Sequence, residues 1–379
     1  MNESQIISFV REMYETKDPI PLHEPSFIGN EQKYTKKAID STYVSSIGKY
    51  VDKFEKDLEL YCGSNVVLTC SGTTALHAAL VHVGASHNDL VITQPLTFVA
   101  TCNAIHQSGA RPVFVDVCKK TLGMDPNALE YFLENHAELK GSKCLFKKTG
   151  QKIKAIVPMH TFGHPLRIDK LLEISKRWNL PLIEDAAESL GSFFENKHTG
   201  TFGDLGVLSF NGNKVITTGG GGAILAKRCE DHATLKHLTT TAKLKHEYEY
   251  IHDRPAFNYR MPNLNAALGC AQIESLNLFL KKKREIAKNY ENFFNNSEYQ
   301  FVKEPEHGTS NYWLNAIICP SKKTKEDLLN KSNSSGIFMR PCWKLMNELP
   351  MYSTCFKDNL QNSNFFEDRI VNLPSTPIL

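Results

Sequence analysis

The fold is decided by a short stretch, Leu182-Ile183-Glu184-Asp185-Ala186-Ala187-Glu188, in which an apolar run ends in carboxylates. Residues 182–184 predict a buried strand of a parallel sheet. In a doubly wound sheet, ligands bind at the carboxyl ends of the strands, where Asp185 would lie. A buried carboxylate needs a cationic or hydrogen-bonding partner, because leaving it unpaired is costly. Asp185 is therefore a candidate ligand-binding residue, with a metal ligand, a ribose-binding acid and a helix cap as alternatives.

Outward from this stretch, short β-rich segments alternate with helical ones. The alternation predicts an α/β fold, with a mostly parallel central sheet and helices on both faces. The predicted strands are Val66–Thr69, Leu90–Thr93, Pro112–Val115, Ala155–Pro158, Leu182–Glu184, Gly206–Phe210 and Ala223–Ala226. The predicted helices between them include Thr73–Val83, Asn127–Asn135 and Ile168–Trp178.

A second region follows the alternating one. It begins with a long amphipathic helix at Asn263–Asn295, and a mixed segment after it contains a predicted strand at Asn311–Cys319. We expect a large domain at 1–260, which starts with a helical segment at 1–20, and a small C-terminal α+β domain at 261–379. The basic cluster Lys281-Lys282-Lys283-Arg284 is predicted to lie on the solvent face of the long helix.

The composition excludes several classes of protein. The chain has 379 residues, 41% hydrophobic and 22% charged, with a net charge of +3, as in ordinary globular proteins. Its basic residues are scattered, so we expect no nucleic-acid partner. Ten cysteines include no Cys-x-x-Cys pair, and we expect neither a metal nor disulfides. The first fifteen residues predict a surface helix and no apolar run could span a bilayer, so we expect a cytoplasmic protein with no membrane partner.

The segment Cys70-Ser71-Gly72-Thr73-Thr74-Ala75-Leu76 follows the first predicted strand and opens a helix. A glycine and two threonines at a helix start present backbone N–H groups and hydroxyls to an anion. The segment predicts a phosphate site. The alternative is a plain helix cap formed by Ser71 or Thr73.

A third segment, Ser209-Phe210-Asn211-Gly212-Asn213-Lys214, ends the strand that follows Asp185. A lysine in a strand-end crevice is partly desolvated, which favours Schiff-base chemistry. Four glycines at 219–222 allow the backbone to pass close to a ligand, or form a flexible hairpin. For Lys214 taken alone, the alternative is a solvated side chain.

Together these segments fit one ligand. A helix-start anion site, a strand-end acid and a strand-end lysine suit a phosphorylated aldehyde with a basic ring nitrogen, which is pyridoxal phosphate. The chain has no P-loop, no Gly-x-Gly-x-x-Gly at a helix start and no Gly-x-Ser-x-Gly elbow. His160 and His164 do not form a helical zinc pair, because Gly163 and Pro165 interrupt any helix.

Over nearly its whole length the sequence resembles the DegT/DnrJ/EryC1 family of sugar aminotransferases, which have aminotransferase fold type I. The matching stretches are Gly29-Asn30-Glu31, Tyr43-Val44-Ser45-Ser46, Ser71-Gly72-Thr73-Thr74-Ala75-Leu76, Thr97-Phe98-Val99-Ala100-Thr101, Glu184-Asp185-Ala186-Ala187-Glu188, Ser209-Phe210-Asn211-Gly212-Asn213-Lys214 and Asn258-Tyr259-Arg260-Met261.

The resemblance implies roles for these residues. Lys214 would bond covalently to pyridoxal phosphate, and Asp185 would pair with its ring nitrogen, so these two are the expected catalytic residues. The other expected cofactor contacts are Phe98 on a ring face, Glu188 near the ring hydroxyl, Gly72, Thr73, Thr74 and Ser209 at the phosphate, Asn211, and Asn258 reaching the phosphate of a neighbouring subunit. Many relatives carry glutamine or histidine where this chain has Glu188. The active unit would be a homodimer with shared active sites.

A narrower resemblance concerns the legionaminic-acid branch of the family. It rests on Ser189-Leu190-Gly191-Ser192, His237–Lys243, Met261–Gly269 and Ser310-Asn311-Tyr312-Trp313-Leu314-Asn315. It implies amination at C4 of a nucleotide-linked 4-keto-6-deoxy-N-acetylglucosamine, UDP-linked in most such pathways and GDP-linked in some, with L-glutamate as donor and 2-oxoglutarate as product. Candidate substrate contacts are Asn30, Glu31, His160, Asn311, Tyr312, Trp313 and Arg340.

Other functions on the same fold stay open at this point. One is amination at C3 or of another nucleotide sugar. Another is a sugar dehydratase, in which the lysine position can be histidine, so that Lys214 favours the aminotransferase. A third is a non-enzymatic regulator, which would tolerate loss of Asp185 and Lys214.

Overall fold

The computed structural model of the protein describes residues 1–379, in eleven α-helices and sixteen strands with three short 3₁₀ helices. The helices are α1 Glu3–Tyr14, α2 Glu31–Asp40, α3 Lys49–Cys62, α4 Gly72–His82, α5 Val99–Gln107, α6 Pro126–His136, α7 Ile168–Arg177, α8 Cys229–Thr239, α9 Asn263–Phe294, α10 Lys322–Ser334 and α11 Gln361–Arg369. None of them has the length and apolar character needed to cross a membrane.

The strands fall into one large sheet and two smaller ones. They are β1 Asn65–Thr69, β2 Leu90–Thr93, β3 Arg111–Phe114, β4 Ala137–Lys140, β5 Lys143–Phe146, β6 Lys152–Val157, β7 Ile183–Asp185, β8 Phe193–Phe194, β9 Lys197–His198, β10 Leu205–Ser209, β11 Gly222–Ala226, β12 Gln300–Phe301, β13 Gly308–Thr309, β14 Asn315–Ile318, β15 Arg340–Pro341 and β16 Ile370–Leu373. All seven strands predicted in the alternating region are present, with ends displaced by a few residues at most.

The central sheet has the order β1-β11-β10-β7-β6-β2-β3. Its two parts, β1-β11-β10-β7 and β3-β2-β6, are joined by single bridges from Ile156 to Leu182 and from Met159 to Asp185. Strand β11 is antiparallel to both of its neighbours, and the other adjacent pairs are parallel. The β4–β5 hairpin extends the sheet beside β6. The carboxyl ends of β1, β2, β6, β7 and β10 therefore meet at one edge.

Helices cover both faces of this sheet. Strand β1 illustrates the alternation, because Val67 packs on the side of α4 and α5, whereas Val66 and Leu68 pack on the side of α3 and α9. A strand buried on both faces must be apolar throughout, and β2 and β11 are buried at every position. The α/β prediction, with a mostly parallel sheet between two helical layers, is confirmed.

Helix α9 connects this sheet to the C-terminal region. It packs against α2 and α3, and its far end packs with the antiparallel sheet β12-β14-β16-β15. Helix α1 packs into the same C-terminal cluster through Ile6 and Val10, both fully buried. The division at residue 260 into two domains stays a prediction.

Two details of the C-terminal region differ from expectation. Lys283, predicted on the solvent face of α9, is completely buried, because residues 313 and 375 cover it with their carbonyl groups. The strand predicted to begin at Asn311 begins at Asn315, because Tyr312 has a left-handed backbone with φ of 46°. Both differences follow from packing between distant segments.

Candidate active site

A cavity of about 330 Å³ opens at the edge where the carboxyl ends of the central strands meet. The segments that follow β1, β2, β6, β7 and β10 all contribute to it. Its walls are formed by Ser71, Gly72, Thr73, Leu76, Phe98, Ala100, Thr101, Met159, Asp185, Ala187, Glu188, Ser209, Asn211, Asn213, Lys214, Gly220, Gly221, Trp313 and Trp343. The three segments singled out in the sequence therefore meet in one place, because β7 and β10 are adjacent and β1, parallel to them, lies one strand further along, beyond β11.

Lys214 projects into this cavity from the loop after β10. A turn closed by the bond from its own amide to the Asn211 carbonyl positions its backbone. Its Nζ lies 3.3 Å from Glu188 Oε1 and 3.8 Å from the centroid of the Trp313 ring. The side chain is only 13% exposed. Its amine is thus held inside the cavity, away from bulk water.

Asp185 ends β7 as predicted, and its carboxylate is buried. Thr101 Oγ1 donates to Oδ2 at 2.7 Å, and the Ala187 amide donates to Oδ1 at 3.2 Å. Burial raises the pKa of Asp185, and these two donors and the nearby Lys214 partly offset that rise. A cationic ring nitrogen in the cavity would complete the set of partners that a buried carboxylate needs.

Glu188, on the turn after β7, is a second buried carboxyl group in the cavity wall. Its Oε2 accepts a hydrogen bond from the Phe162 amide at 2.9 Å, and its Oε1 faces Lys214. Burial raises the pKa of Glu188 to about 7, against the lowering effects of Lys214 and the Phe162 amide. Glu188 can therefore change its protonation state near neutral pH.

The anion site is the start of α4. Ser71 caps the helix by accepting from the Thr74 amide at 3.1 Å, and the amides of Gly72 and Thr73 have no partner within the helix. A Cβ at Gly72 would lie 2.9 Å from the Cβ of Ser209, so only glycine fits there without displacement. The predicted contacts Gly72, Thr73 and Ser209 all line the cavity. This arrangement suits a phosphate group.

Thr74 and Asn258, also predicted to contact phosphate, are not in the cavity wall. The Thr74 hydroxyl completes the helix cap by bonding to Ser71. Asn258 is exposed, and its backbone pairs with Thr240. An exposed position is compatible with the predicted contact to a second subunit, which stays a prediction.

Phe98 provides an aromatic face. Its side chain is 50% exposed although it lies in the cavity wall, so the ring has no protein neighbour over much of its surface. Trp343 stands beside it, with ring centroids 6.3 Å apart. A planar ligand ring can stack in this position.

Most of the predicted substrate contacts are placed elsewhere. His160 is fully buried, with Nε2 2.9 Å from Glu184 Oε2 and Nδ1 accepting from the Leu166 amide. Its backbone amide donates to the carbonyl of Asp185. His160 therefore stabilises the end of β7, and both of its ring nitrogens already have hydrogen-bond partners. In the same way Tyr312 is buried, with its hydroxyl accepting from the Glu304 amide.

The remaining candidates have local partners of their own. Asn30 donates to Glu274, and Glu31 is buried and accepts from Gln272. Arg340 is exposed and bonds to Asn333 and to the Met339 carbonyl. Asn311 is buried between backbone groups. Trp313 is the one predicted substrate contact that lines the cavity, where its ring covers Lys214.

Sequence reasoning did not single out Thr101 or Trp343 as cavity residues. Thr101 lies on α5, within a stretch quoted only for its family resemblance, and no local pattern shows that its hydroxyl meets Asp185. Trp343 lies in the last part of the chain, after β15. Its segment crosses to the large sheet, where the Met346 amide bonds to the Pro95 carbonyl. An isolated tryptophan in a mixed region offers no periodic signal.

These groups fit one cofactor. Lys214 can bond to an aldehyde, Asp185 can pair with a pyridine nitrogen, Phe98 can stack on the ring, and the start of α4 can hold a phosphate. The clash that a Cβ at Gly72 would make with Ser209 shows how closely the start of α4 approaches the end of β10. A fold and cavity of this kind are typical of pyridoxal-phosphate enzymes.

Comparison with known proteins agrees with this conclusion. The chain belongs to the DegT/DnrJ/EryC1/StrS aminotransferase family, whose model matches residues 25–379. Pyridoxal phosphate is the cofactor of this family.

Two relatives and one solved structure illustrate the similarity. A GDP-perosamine synthase of Escherichia coli O157:H7 is 37% identical, over 95% of this chain and 94% of the relative. A UDP-4-amino-4,6-dideoxy-N-acetyl-beta-L-altrosamine transaminase of Campylobacter jejuni is 30% identical, over 86% of this chain and 85% of the relative. A crystal structure of a DegT DnrJ EryC1 StrS aminotransferase from Brucella abortus superposes with a TM-score of 0.83 at 26% identity, covering 92% and 91% of the two chains. The predicted fold type I is confirmed.

Proposed function

We propose that this protein transfers the amino group of L-glutamate to C4 of a nucleotide-linked 4-keto-6-deoxy sugar, the N-acetylglucosamine derivative of the legionaminic-acid type. The observation that carries the proposal is the convergence of Lys214, Asp185 and the start of α4 on one cavity. The two curated relatives described above support a nucleotide-linked amino sugar as the product.

The residues of the cavity divide the work of this reaction. Pyridoxal phosphate, when bound, supplies an electron sink for the carbon that loses its proton. Lys214 anchors the cofactor and, once released, moves a proton as general base and then as general acid. Asp185 keeps the ring nitrogen protonated, and Gly72, Thr73 and Ser209 hold the phosphate. Phe98 would stack on the ring, and Glu188 would bond to the ring hydroxyl.

The amino donor and the sugar use the same cavity in turn. Glutamate leaves as 2-oxoglutarate before the keto sugar is aminated. The Lys214 side chain and the walls formed by Trp313 and Trp343 keep bulk water from the reacting carbon in both half-reactions.

The active unit in this proposal is a homodimer. Asn258 is exposed and lies outside the cavity of its own chain, as a residue that serves a second subunit must. Tyr248 and Tyr250 lie in the same surface segment with 76% and 81% exposure, which suits a covered interface.

The covalent role of Lys214 is tested by reducing the cofactor-loaded protein with borohydride and mapping the labelled peptide. We expect label at Lys214 and none in Lys214→Ala. That variant should lose roughly three decades of turnover, about 4 kcal/mol at 1.36 kcal/mol per decade. Lys176→Ala, on the outer helix α7, is the matched control and should keep both label and turnover. Turnover by Lys214→Ala without added amines would refute the assignment.

The substrate is tested by following the absorbance of the lysine-bound cofactor. The band should fall with glutamate and return with one 4-keto-6-deoxy sugar nucleotide. We expect the UDP-linked N-acetyl sugar to restore it. The 37% identical relative makes the GDP-linked sugar the second candidate. A response to a 3-keto sugar, or elimination of water from the sugar without gain of an amine, would refute C4 amination.

A further inference from the structure

The amine of Lys214 lies between two side chains from different parts of the molecule. Glu188 Oε1 is 3.3 Å from Nζ on one side, and the Trp313 ring is 3.8 Å from Nζ on the other. A carboxylate and the face of an indole ring both stabilise a cation. Both are therefore groups that can hold a cationic amine in place.

Hydrogen bonds to Asn213 and Lys283 hold Trp313 in this position. Its Nε1 donates to the Asn213 carbonyl at 2.7 Å, and its own carbonyl accepts from Lys283 Nζ at 3.1 Å. Lys283 is completely buried and donates a second bond, to the Ser375 carbonyl at 2.7 Å. The indole is therefore held by its bond to the Asn213 carbonyl, and the Trp313 backbone is held by the buried Lys283.

Asn311 connects the two sides. Its Nδ2 donates to the Glu188 carbonyl at 2.8 Å, and its Oδ1 accepts from the Trp313 amide at 2.8 Å. The side chain is fully buried, and a Cβ at Gly163 would lie 1.8 Å from Oδ1, so Asn311 has no space to move. One amide group thus ties the backbone of Glu188 to the backbone of Trp313, the two residues whose side chains contact Lys214.

Glu188 is aimed at Lys214 by a backbone amide in an unusual conformation. Phe162 has φ of 57°, in the left-handed region that a non-glycine residue rarely adopts. Its amide in that conformation holds Glu188 Oε2 at 2.9 Å and leaves Oε1 facing Lys214. The backbone conformation at residue 162 and the orientation of the carboxyl group are therefore linked.

We propose that Glu188 and Trp313 form a cradle that holds the ammonium group of Lys214 whenever this lysine is not bonded to the cofactor, with Asn311 as the positioning residue that sets the width of the cradle. The inference rests on the proposed role of Lys214 as the cofactor-binding lysine. The cradle keeps the released lysine at one place in the cavity and stores there the proton that the lysine must later donate. It also assigns the Trp313 ring to the lysine and not to the nucleotide.

Other titratable groups also face Lys214. Asp185, at the end of β7, is close enough for Lys214 to lower its pKa. His23, from the segment before α2, lies near both Lys283 and Lys214, and its pKa is lowered first by burial and then by these two lysines. Asp185 favours a charged lysine, whereas a neutral His23 adds no charge. The cradle residues are the ones in direct contact with Nζ.

The test measures how fast cofactor-free protein captures pyridoxal phosphate, as a function of pH. Only the neutral amine of Lys214 can react with the aldehyde. The pH at which capture reaches half of its maximal rate therefore reports how strongly the protein stabilises the ammonium. A purely structural defect would lower the maximal rate without moving this midpoint to lower pH.

Trp313→Leu should move the midpoint down by about half to one pH unit, which is a three- to tenfold higher relative rate on the acid side. Trp313→Phe keeps an aromatic face and should restore the wild-type midpoint. Trp178→Leu, at the end of α7, is the matched control and should leave the profile unchanged.

Glu188→Gln should lower the midpoint by about one unit or more. Its effect should be confined to pH values above about 7, where the wild-type carboxyl is ionised. Asn311→Ala should shift the midpoint in the same direction although it removes no contact with Lys214.

Different outcomes refute the proposed function and the cradle. If borohydride does not fix the cofactor on Lys214 in wild type, the proposed function is wrong. If Lys214 is labelled but Trp313→Leu and Glu188→Gln both keep the wild-type midpoint, the cradle is overturned. A higher KM for the sugar nucleotide in Trp313→Leu, together with an unchanged midpoint, would instead make Trp313 a substrate contact.

Discussion

The hydrogen bond between Thr101 and Asp185 gives the sharpest test of how the cavity controls its catalytic carboxylate. Thr101 Oγ1 lies 2.7 Å from Asp185 Oδ2 and also 2.7 Å from Thr97 Oγ1. Thr101→Val keeps the shape of the side chain and removes the hydroxyl. The carboxylate is then left with the Ala187 amide, at 3.2 Å, as its remaining donor.

The size of the effect follows from the charge on the acceptor. A hydrogen bond to a charged group contributes about 1.5–3 kcal/mol. Because this bond stabilises the ionised form, its loss should raise the pKa of Asp185 beyond the increase already caused by burial. A protonated Asp185 cannot hold the ring nitrogen in its cationic form. Cofactor binding should therefore weaken most at the acid end of the pH range.

The assay is the affinity of cofactor-free protein for pyridoxal phosphate, measured by fluorescence titration between about pH 5 and pH 9. We expect Thr101→Val to bind about 10- to 100-fold more weakly at the acid end, with a difference that shrinks as the pH rises. Thr101→Ser keeps the hydroxyl and should follow wild type. If the valine and serine variants have the same pH profile, Thr101 does not control the charge of Asp185, and the reasoning is refuted.

Three further predictions concern stability and the phosphate site. Gly72→Val should weaken binding of pyridoxal phosphate at least about tenfold, because a Cβ there meets Ser209 at 2.9 Å. Gly212→Ala is the control, because a Cβ at Gly212 meets nothing within 4 Å. Equal affinities of the two variants for pyridoxal phosphate would contradict the phosphate site. The pKa of Glu188 is raised by burial from 4.5 to about 7, so its stabilising contribution is complete below pH 4.5 and is lost as the pH rises through 7. In urea unfolding of the cofactor-free protein, the free energy of unfolding of wild type should therefore fall by up to about 3 kcal/mol relative to that of Glu188→Gln across this pH interval. If the two proteins show the same dependence of unfolding free energy on pH, the raised pKa of Glu188 is contradicted. Burial holds the pKa of Lys283 well below its usual value, so the folded state binds fewer protons than the unfolded state and stability rises with pH towards the usual pKa of lysine. Lys283→Met should flatten this rise, whereas Lys281→Met, at an exposed position, should retain it.

The sequence alone was sufficient for features that depend on local pattern and on strand order. Apolar runs that end in polar residues placed Asp185 and Ser209 at strand ends, and Lys214 in the loop after β10. Parallel neighbouring strands bring such ends to the same edge of a sheet whatever the details of packing. The start of α4 was also predictable, because its cap lies within four consecutive residues, Ser71 to Thr74. These are short-range signals, and the family resemblance covers the same segments.

Only the tertiary structure decided which distant side chains meet. Lys283 belongs to a locally amphipathic pattern that predicts exposure, and it is buried because the chain near residues 313 and 375 folds over it. His160 follows a strand as a ligand-binding residue would, but Glu184 occupies one of its ring nitrogens. The Thr101 hydroxyl, on α5, bonds to the Asp185 carboxylate at the end of β7. The Asn311 side chain bonds to the backbones of Glu188 and Trp313. Contacts of this kind depend on the packing of whole helices and sheets, and the spacing of residues along one segment carries no information about them.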